Sequence, residues 1–258
     1  VGIGLLALID VGRYRTQLSV MSALLFLLWT ITALVLTVQA ASLVSGERSR
    51  QTLDALLATP LSGEEILKQK VAGLHRLMWV LATCFMTVFI FETWYYFGMG
   101  LDRQINVFVG EPFLHYFSTL RYLLTSILTI ALNLPLIVWL GLWIGLKFKS
   151  QTRAIIGALA FLVAWGVVTP IIVGSLMEGF APSLNENLIF LTSPFGIVYL
   201  NEFNDFGLNE GLFPGVRRDG FFRWAVVVGN FAFYGALLYV LRANCLRHAD
   251  RLLGRRED

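Results

Sequence analysis

The chain of 258 residues is 57% hydrophobic and only 14% charged, with a net charge of +3 and a mean hydropathy of +0.69. An average soluble domain has about 25% charged residues, because its surface must be covered by polar side chains, so this composition excludes an ordinary soluble fold. The Lys and Arg residues are scattered over several loops, which argues against nucleic-acid binding. The composition predicts an all-α, polytopic integral membrane protein.

Five apolar runs are long enough to cross a bilayer as helices, which takes about 20 residues. None alternates with a period of two, so helices are favoured over strands. We place the complete spans at 20–44, 74–97, 120–146, 154–177 and 224–242, within a single transmembrane domain over residues 1–258. Residues 1–9 are apolar but too few to cross. We interpret them as the end of a truncated first span, the alternative being a processed N-terminus.

The distribution of Lys and Arg predicts the orientation of the spans. Residues 45–76, 147–153 and 242–258 together hold 13 Lys and Arg in 56 positions, whereas 10–19, 98–121 and 178–223 hold 7 in 80. Basic residues concentrate on the cytoplasmic side of a membrane protein, so the first set is predicted to be cytoplasmic. This interpretation puts the C-terminus inside the cell, with membrane lipids as neighbours of the spans and of the basic C-terminal tail.

Residues 45–70 form a polar segment between two apolar runs, which we call the polar hairpin. Its first half, 47–58, has one apolar helical face, and Pro60 disfavours helix in the residue before it. Ser62 and Glu65 have the spacing of a capping box for a second helix that begins near Gly63. The pattern therefore predicts a cytoplasmic helix–turn–helix, with an ordinary amphipathic loop as the alternative.

The loop 178–223, predicted to lie outside the cell, contains a second apolar patch at 188–200. Thirteen residues are too few to cross a bilayer, and Ser193, Pro194 and Gly196 interrupt them. A short re-entrant or interfacial element and a small extracellular cap are both consistent with this pattern.

Several residues inside the spans are unusual for a lipid-facing helix. Asn133, Pro135 and Asn230 lie within apolar runs, where amides usually bond neighbouring helices, the alternative being a substrate path. Gly141 and Gly145 form a G-x-x-x-G pair, which permits a close helix contact either within the chain or between two copies.

Few side chains in the chain predict chemistry. The three histidines are scattered, and no G-x-x-x-x-G-K-[ST] phosphate-binding loop occurs. We therefore predict no catalytic, cofactor-binding or metal-binding residue. Glu92 is the only Asp, Glu, Lys or Arg in residues 77–101. We expect it to reach the membrane surface as an interfacial acid, the alternative being a proton-relay site.

The polar hairpin, read as ERSRQTLDALLATPLSGEEILKQK over residues 47–70, resembles the signature of type-two ABC transporter permeases. That signature joins a Glu-Arg or Glu-Lys pair, a Thr-Leu, two further leucines, a Ser/Thr-Pro turn and a closing Lys. The matching residues are Glu47, Arg48, Thr52, Leu53, Leu56, Leu57, Thr59, Pro60, Leu61, Ser62, Ile66, Leu67 and Lys70. Gln51 and Gln69 depart from it. The layout of six spans, with the hairpin after the second and a large outer loop before the last, agrees as well.

The resemblance implies that the chain is the transmembrane permease subunit of an ABC exporter. In such permeases the hairpin docks on a separate ATP-binding subunit, which holds ATP and Mg. The permease is then not itself an enzyme, and a second permease copy or homologue completes the complex. The coupling residues that the resemblance implies are Glu47, Arg48, Thr52, Leu53, Leu56, Leu57, Pro60 and Leu61. Two rival functions stay open: an ion-coupled carrier or channel, and a non-transporting membrane module.

Overall fold

The structure, a computed structural model, describes residues 14–49, 62–106, 112–148, 150–169, 171–173, 175, 196, 198 and 220–249. Within these residues the secondary structure is helical and no strand occurs. The predicted truncated first span at 1–9, most of the loop 178–223 and the last nine residues lie outside the described part. The all-α prediction is thereby confirmed for the part of the chain that the structure describes.

Within the residues that the structure describes, five α-helices follow one another. They are α1 (Tyr14–Ser49), α2 (Gly63–Asn106), α3 (Pro112–Lys147), α4 (Gln151–Val163) and α5 (Gly220–Arg247). A π-helical turn over Ala164–Val168 continues α4. The polar hairpin joins α1 to α2, so we call that end of the bundle the hairpin end and the opposite end the far end.

Four stretches of helix in the described chain are long and apolar enough to cross a membrane. They are Ala23–Arg48, Gly63–Trp94, Tyr122–Lys147 and Gln151–Val173. The chain is therefore a membrane-embedded helical bundle. The predicted span 224–242 falls within α5, which is not one of the four, and its membrane crossing stays a prediction.

The helices α1 and α3 run in the same direction and approach each other closely. A Cβ added to Gly145 would lie 2.5 Å from the Ala41 carbonyl oxygen, and one added to Gly141 would lie 2.9 Å from the Ala40 Cβ. Lipid tails are as apolar as the helix surfaces, so helix association in a membrane depends on such close packing. The G-x-x-x-G pair therefore contacts α1 of the same chain.

The buried side chains form two clusters, one toward each end of the bundle. At the hairpin end, Ala41, Val44, Leu67 and Leu142 are among the buried members. Toward the far end the core is aromatic: the Trp29 ring lies 4.4 Å from Phe85, and Phe85 lies 6.3 Å from Phe89 between ring centroids. Both clusters draw on α1, α2 and α3, so these three helices pack together toward both ends of the bundle.

Candidate functional site at the ends of the polar hairpin

The structure describes both ends of the polar hairpin but not its middle. Glu47 and Arg48 lie in the last turn of α1, and α2 begins at Gly63. Six of the predicted coupling residues lie outside the described residues: Thr52, Leu53, Leu56, Leu57, Pro60 and Leu61. The structure therefore shows how the two ends of the hairpin are attached to the bundle.

Glu47 and Lys70 form an ion pair that joins the end of α1 to the beginning of α2. The Lys70 side chain is 14% exposed and the Glu47 side chain 31%, so the pair is largely withdrawn from water. Ion pairs that are partly buried are screened less by salt than exposed ones. The contact therefore holds the two ends of the hairpin together at its base.

Arg48, the next residue, joins α1 to a third helix. Its Nη1 donates a hydrogen bond to the Leu146 carbonyl oxygen in the last turn of α3, at 3.5 Å. The last carbonyls of a helix have no partner within the helix, and the helix dipole makes that end negative. A guanidinium is therefore well placed there, and this contact joins the end of α1 to the end of α3.

The predicted capping box at the start of α2 is confirmed. The Ser62 N–H donates to Glu65 Oε2 at 3.0 Å, and the Glu65 N–H donates to Ser62 Oγ at 3.3 Å. These reciprocal bonds satisfy donors that a helix N-terminus otherwise leaves unpaired. The hairpin thus ends at a defined residue, and α2 continues from it without a proline as far as Asn106.

The first turns of α2 have two different faces. Ile66, Leu67 and Val71 are buried in the bundle. On the outer surface, Lys68 Nζ lies 2.6 Å from Glu64 Oε1, and both side chains are exposed. This outer surface faces away from the bundle, whereas the inner surface packs into it.

The helix α4 also begins at the hairpin end. Ser150 caps it by accepting a hydrogen bond from the Arg153 N–H at 3.3 Å. The Gln151 side chain packs over Gly46, where an added Cβ would lie 3.5 Å from the Gln151 Cδ. Four helix ends therefore meet around Glu47 and Arg48: the carboxyl ends of α1 and α3 and the amino ends of α2 and α4.

The second group of predicted residues lies in the interior, away from the hairpin. Asn133 and Asn230 are both buried, and Pro135 lies inside α3. Asn133 continues a row of buried polar residues on α3 that was not predicted from the sequence, namely Thr125, Ser126 and Thr129. Their spacing of three and four residues is the signal that could have revealed the row. Gly141 and Gly145 belong to the contact with α1 and lie apart from this row.

The expectation for Glu92 is wrong. Its side chain does not reach the surface as an interfacial acid: Glu92 is only 4% exposed and accepts a hydrogen bond from the Tyr122 hydroxyl of α3. Phe89 packs edge-on against the Tyr122 ring, with centroids 6.0 Å apart, and helps to enclose the pair. Tyr122 lies on another helix and is 30 residues from Glu92 along the chain, so no local sequence pattern indicates this pairing.

The described residues contain no cluster of three or more His, Cys, Asp or Glu that would bind a metal ion. In the described contacts, the Glu47–Lys70 ion pair and the Arg48 hydrogen bond join the end of α1 to α2 and α3, and the Gln151 side chain packs α4 against Gly46.

Comparison with known proteins adds the family. The model of a family described as ABC-2 family transporter protein matches residues 6–207, which include α1 to α4 and the whole polar hairpin. No curated protein sequence matches the chain. Because the family match covers well over half of the 258 residues, the chain belongs to the ABC-2 transporter family and is a membrane permease component of an ABC transporter.

Proposed function

We propose that this permease couples ATP hydrolysis by a separate ATP-binding subunit to the export of a substrate across the inner membrane. The polar hairpin is the docking surface, the C-terminus is cytoplasmic, and a second permease copy or homologue completes the transporter. The Lys and Arg distribution supports this orientation. The permease supplies no nucleotide chemistry of its own.

The observation that carries the proposal is the attachment of the hairpin. Glu47 ties it to α2 through Lys70, and Arg48 ties it to α3 through the Leu146 carbonyl. Two adjacent residues thus connect one cytoplasmic loop to two helices that run through the bundle. A partner that displaces the hairpin would pull on both helices together, as coupling requires.

Different residues of the hairpin would bind the ATP-binding subunit and pass its movement to the bundle. Leu53, Leu56 and Leu57 are predicted on one helical face, where they would contact the partner or the membrane surface. Glu47 and Lys70 lie at the base, where they contact the bundle. Variants in the two places should therefore fail in different ways.

The test compares Leu56→Asp with Glu47→Ala in a transporter co-expressed with its ATP-binding subunit. Leu56→Asp should abolish co-purification of the subunit, because a charge enters an apolar contact. Glu47→Ala should keep co-purification and ATP hydrolysis but lower ATP-driven transport in proteoliposomes several-fold. The exchanged pair Glu47→Lys with Lys70→Glu should recover part of that transport.

Lys68→Ala is the matched control, since Lys68 also forms an ion pair with a glutamate on α2 but is exposed. It should leave co-purification and transport unchanged. Normal co-purification and normal transport in both Leu56→Asp and Glu47→Ala would refute the coupling role.

Ion-coupled transport is a second candidate, favoured by the buried Glu92. An ionisable residue inside a membrane bundle commonly marks an ion or proton pathway. This candidate predicts transport that continues without any ATP-binding subunit and stops when the proton gradient is collapsed.

A further inference from the structure

We propose that Glu92 and Tyr122 are positioning residues which tie the far end of α2 to α3, so that α1, α2 and α3 move as one body when the hairpin is displaced. This inference rests on the proposed function and adds to it a specific pair of residues and a mode of movement. It concerns the end of the bundle opposite the hairpin.

The helix α2 is continuous between the hairpin end and the far end. This helix runs unbroken from Gly63 to Asn106 and contains no proline. Lys70 and Glu92 are 22 residues apart on it, so they are separated by about 33 Å at a rise of 1.5 Å per residue. A force applied at Lys70 therefore reaches Glu92 through a single helix.

A side-chain hydrogen bond joins α3 to α2 toward the far end. The Tyr122 hydroxyl donates to Glu92 Oε2, between α3 and α2. Glu92 is buried, and a hydrogen bond is electrostatically stronger in such a low-dielectric environment than in water. Breaking it would remove a hydrogen bond from the buried Glu92 carboxylate, which is costly inside a membrane.

Side-chain and backbone contacts also join α1 to α2 and α1 to α3. Glu47 and Lys70 join α1 to α2 at the hairpin end. Arg48 and the close packing of Gly145 on Ala41 join α1 to α3. Each of the three helices is therefore attached to both of the others, and the ties lie at both ends of the bundle.

The aromatic core fills the space between these ties. The Phe89 ring touches Tyr122 from α2, and Phe85 connects through Trp29 to α1. Packed cores resist continuous deformation. Three helices that share such a core and are tied pairwise should rotate together, with Glu92 and Tyr122 preventing the far ends of α2 and α3 from separating.

The experiment measures the separation of these far ends. Spin labels are placed at Trp94→Cys on α2 and Leu120→Cys on α3, which are 69% and 54% exposed and lie two residues from Glu92 and Tyr122. Both native cysteines, Cys84 and Cys245, are replaced by alanine. The label distance is measured by dipolar EPR in the assembled transporter, without nucleotide and with a non-hydrolysable ATP analogue.

With Glu92 and Tyr122 intact, the label distance should be the same in the two nucleotide states. Tyr122→Phe removes only the hydroxyl and should make the distance broader and nucleotide-dependent, and Glu92→Ala should do the same. Tyr239→Phe removes an exposed hydroxyl from α5 and should change nothing. A purely structural role would lower thermal stability without making the distance depend on nucleotide.

A third label site separates failure of this inference from failure of the proposed function. Lys68 is exposed at the hairpin end, so the rate at which maleimide modifies Lys68→Cys reports ATP-driven movement there. Suppose that this modification rate changes with ATP. The single-body inference is then wrong if the far-end label distance depends on nucleotide in the parent protein. It is also wrong if that distance does not depend on nucleotide in Tyr122→Phe. If the rate is insensitive to ATP and no ATP-binding subunit co-purifies, the proposed function fails and the inference falls with it.

Discussion

Gly145 of α3 lies directly against the Ala41 carbonyl oxygen of α1, with room for a hydrogen but not for a methyl group. Gly145→Ala should destabilise the bundle by about 1–3 kcal/mol, because the two backbones must separate to admit the Cβ. Thermal unfolding of the detergent-solubilised protein measures this loss.

Gly73 on α2 is the control for that substitution, because an added Cβ there would meet nothing within 4 Å. Gly73→Ala should stabilise the protein by about 0.5–1 kcal/mol, since alanine loses less backbone entropy in a helix. Equal effects of the two substitutions would show that the contact with α1 does not require a glycine.

Thr32 on α1 is buried, and its hydroxyl has no hydrogen-bond partner among the described residues. Thr37, on the same helix, is also buried but donates to the Ala33 carbonyl oxygen at 2.6 Å. A buried polar group without a partner costs about 1–3 kcal/mol, so Thr32→Val should raise the unfolding temperature. Thr37→Val should fail to raise it, and a lower unfolding temperature for Thr32→Val would show that its hydroxyl is satisfied.

The ion pair of Glu47 with Lys70 should contribute more to stability than the pair of Glu64 with Lys68, since only the first is largely withdrawn from water. Double-mutant cycles with alanine should give a coupling free energy of about 1–2 kcal/mol for the first pair. The exposed pair should give only a few tenths, about 0.3–0.5 kcal/mol. Raising the salt concentration should weaken the exposed pair more, and the reverse order would contradict the burial seen here.

Ser62 should determine where α2 begins. Ser62→Ala removes the hydroxyl that accepts from the Glu65 N–H and should cost about 1 kcal/mol. Amide hydrogen exchange should then speed up in the first turn of α2 but not beyond Val71. Glu65→Gln should protect this turn better than Glu65→Ala, because glutamine also completes a capping box.

The class of this protein could be predicted from its sequence because membrane insertion is decided locally. A helix of about 20 apolar residues satisfies its own backbone hydrogen bonds. A run such as 120–146 can therefore be predicted to span a membrane without reference to the rest of the chain. The start of α2 could also be predicted from the sequence, because Ser62 and Glu65 lie within one helical turn. The hairpin signature extended this to the family, which the match over residues 6–207 confirms.

The partners of individual side chains were decided only by the tertiary structure. Glu92 appeared interfacial because of its position near the end of a span, but α3 brings the partly buried Tyr122 to it and Glu92 itself is buried. The Gly141 and Gly145 pair predicted a close helix contact but not the partner helix, and in the structure Gly145 lies against Ala41 of α1. Glu47 and Arg48 were recognisable as a motif, yet their attachment to Lys70 and the Leu146 carbonyl depends on how three helices pack. Hydropathy is a property of one segment, whereas these contacts join segments up to 104 residues apart, Ala41 to Gly145, and exist only once the helices have assembled.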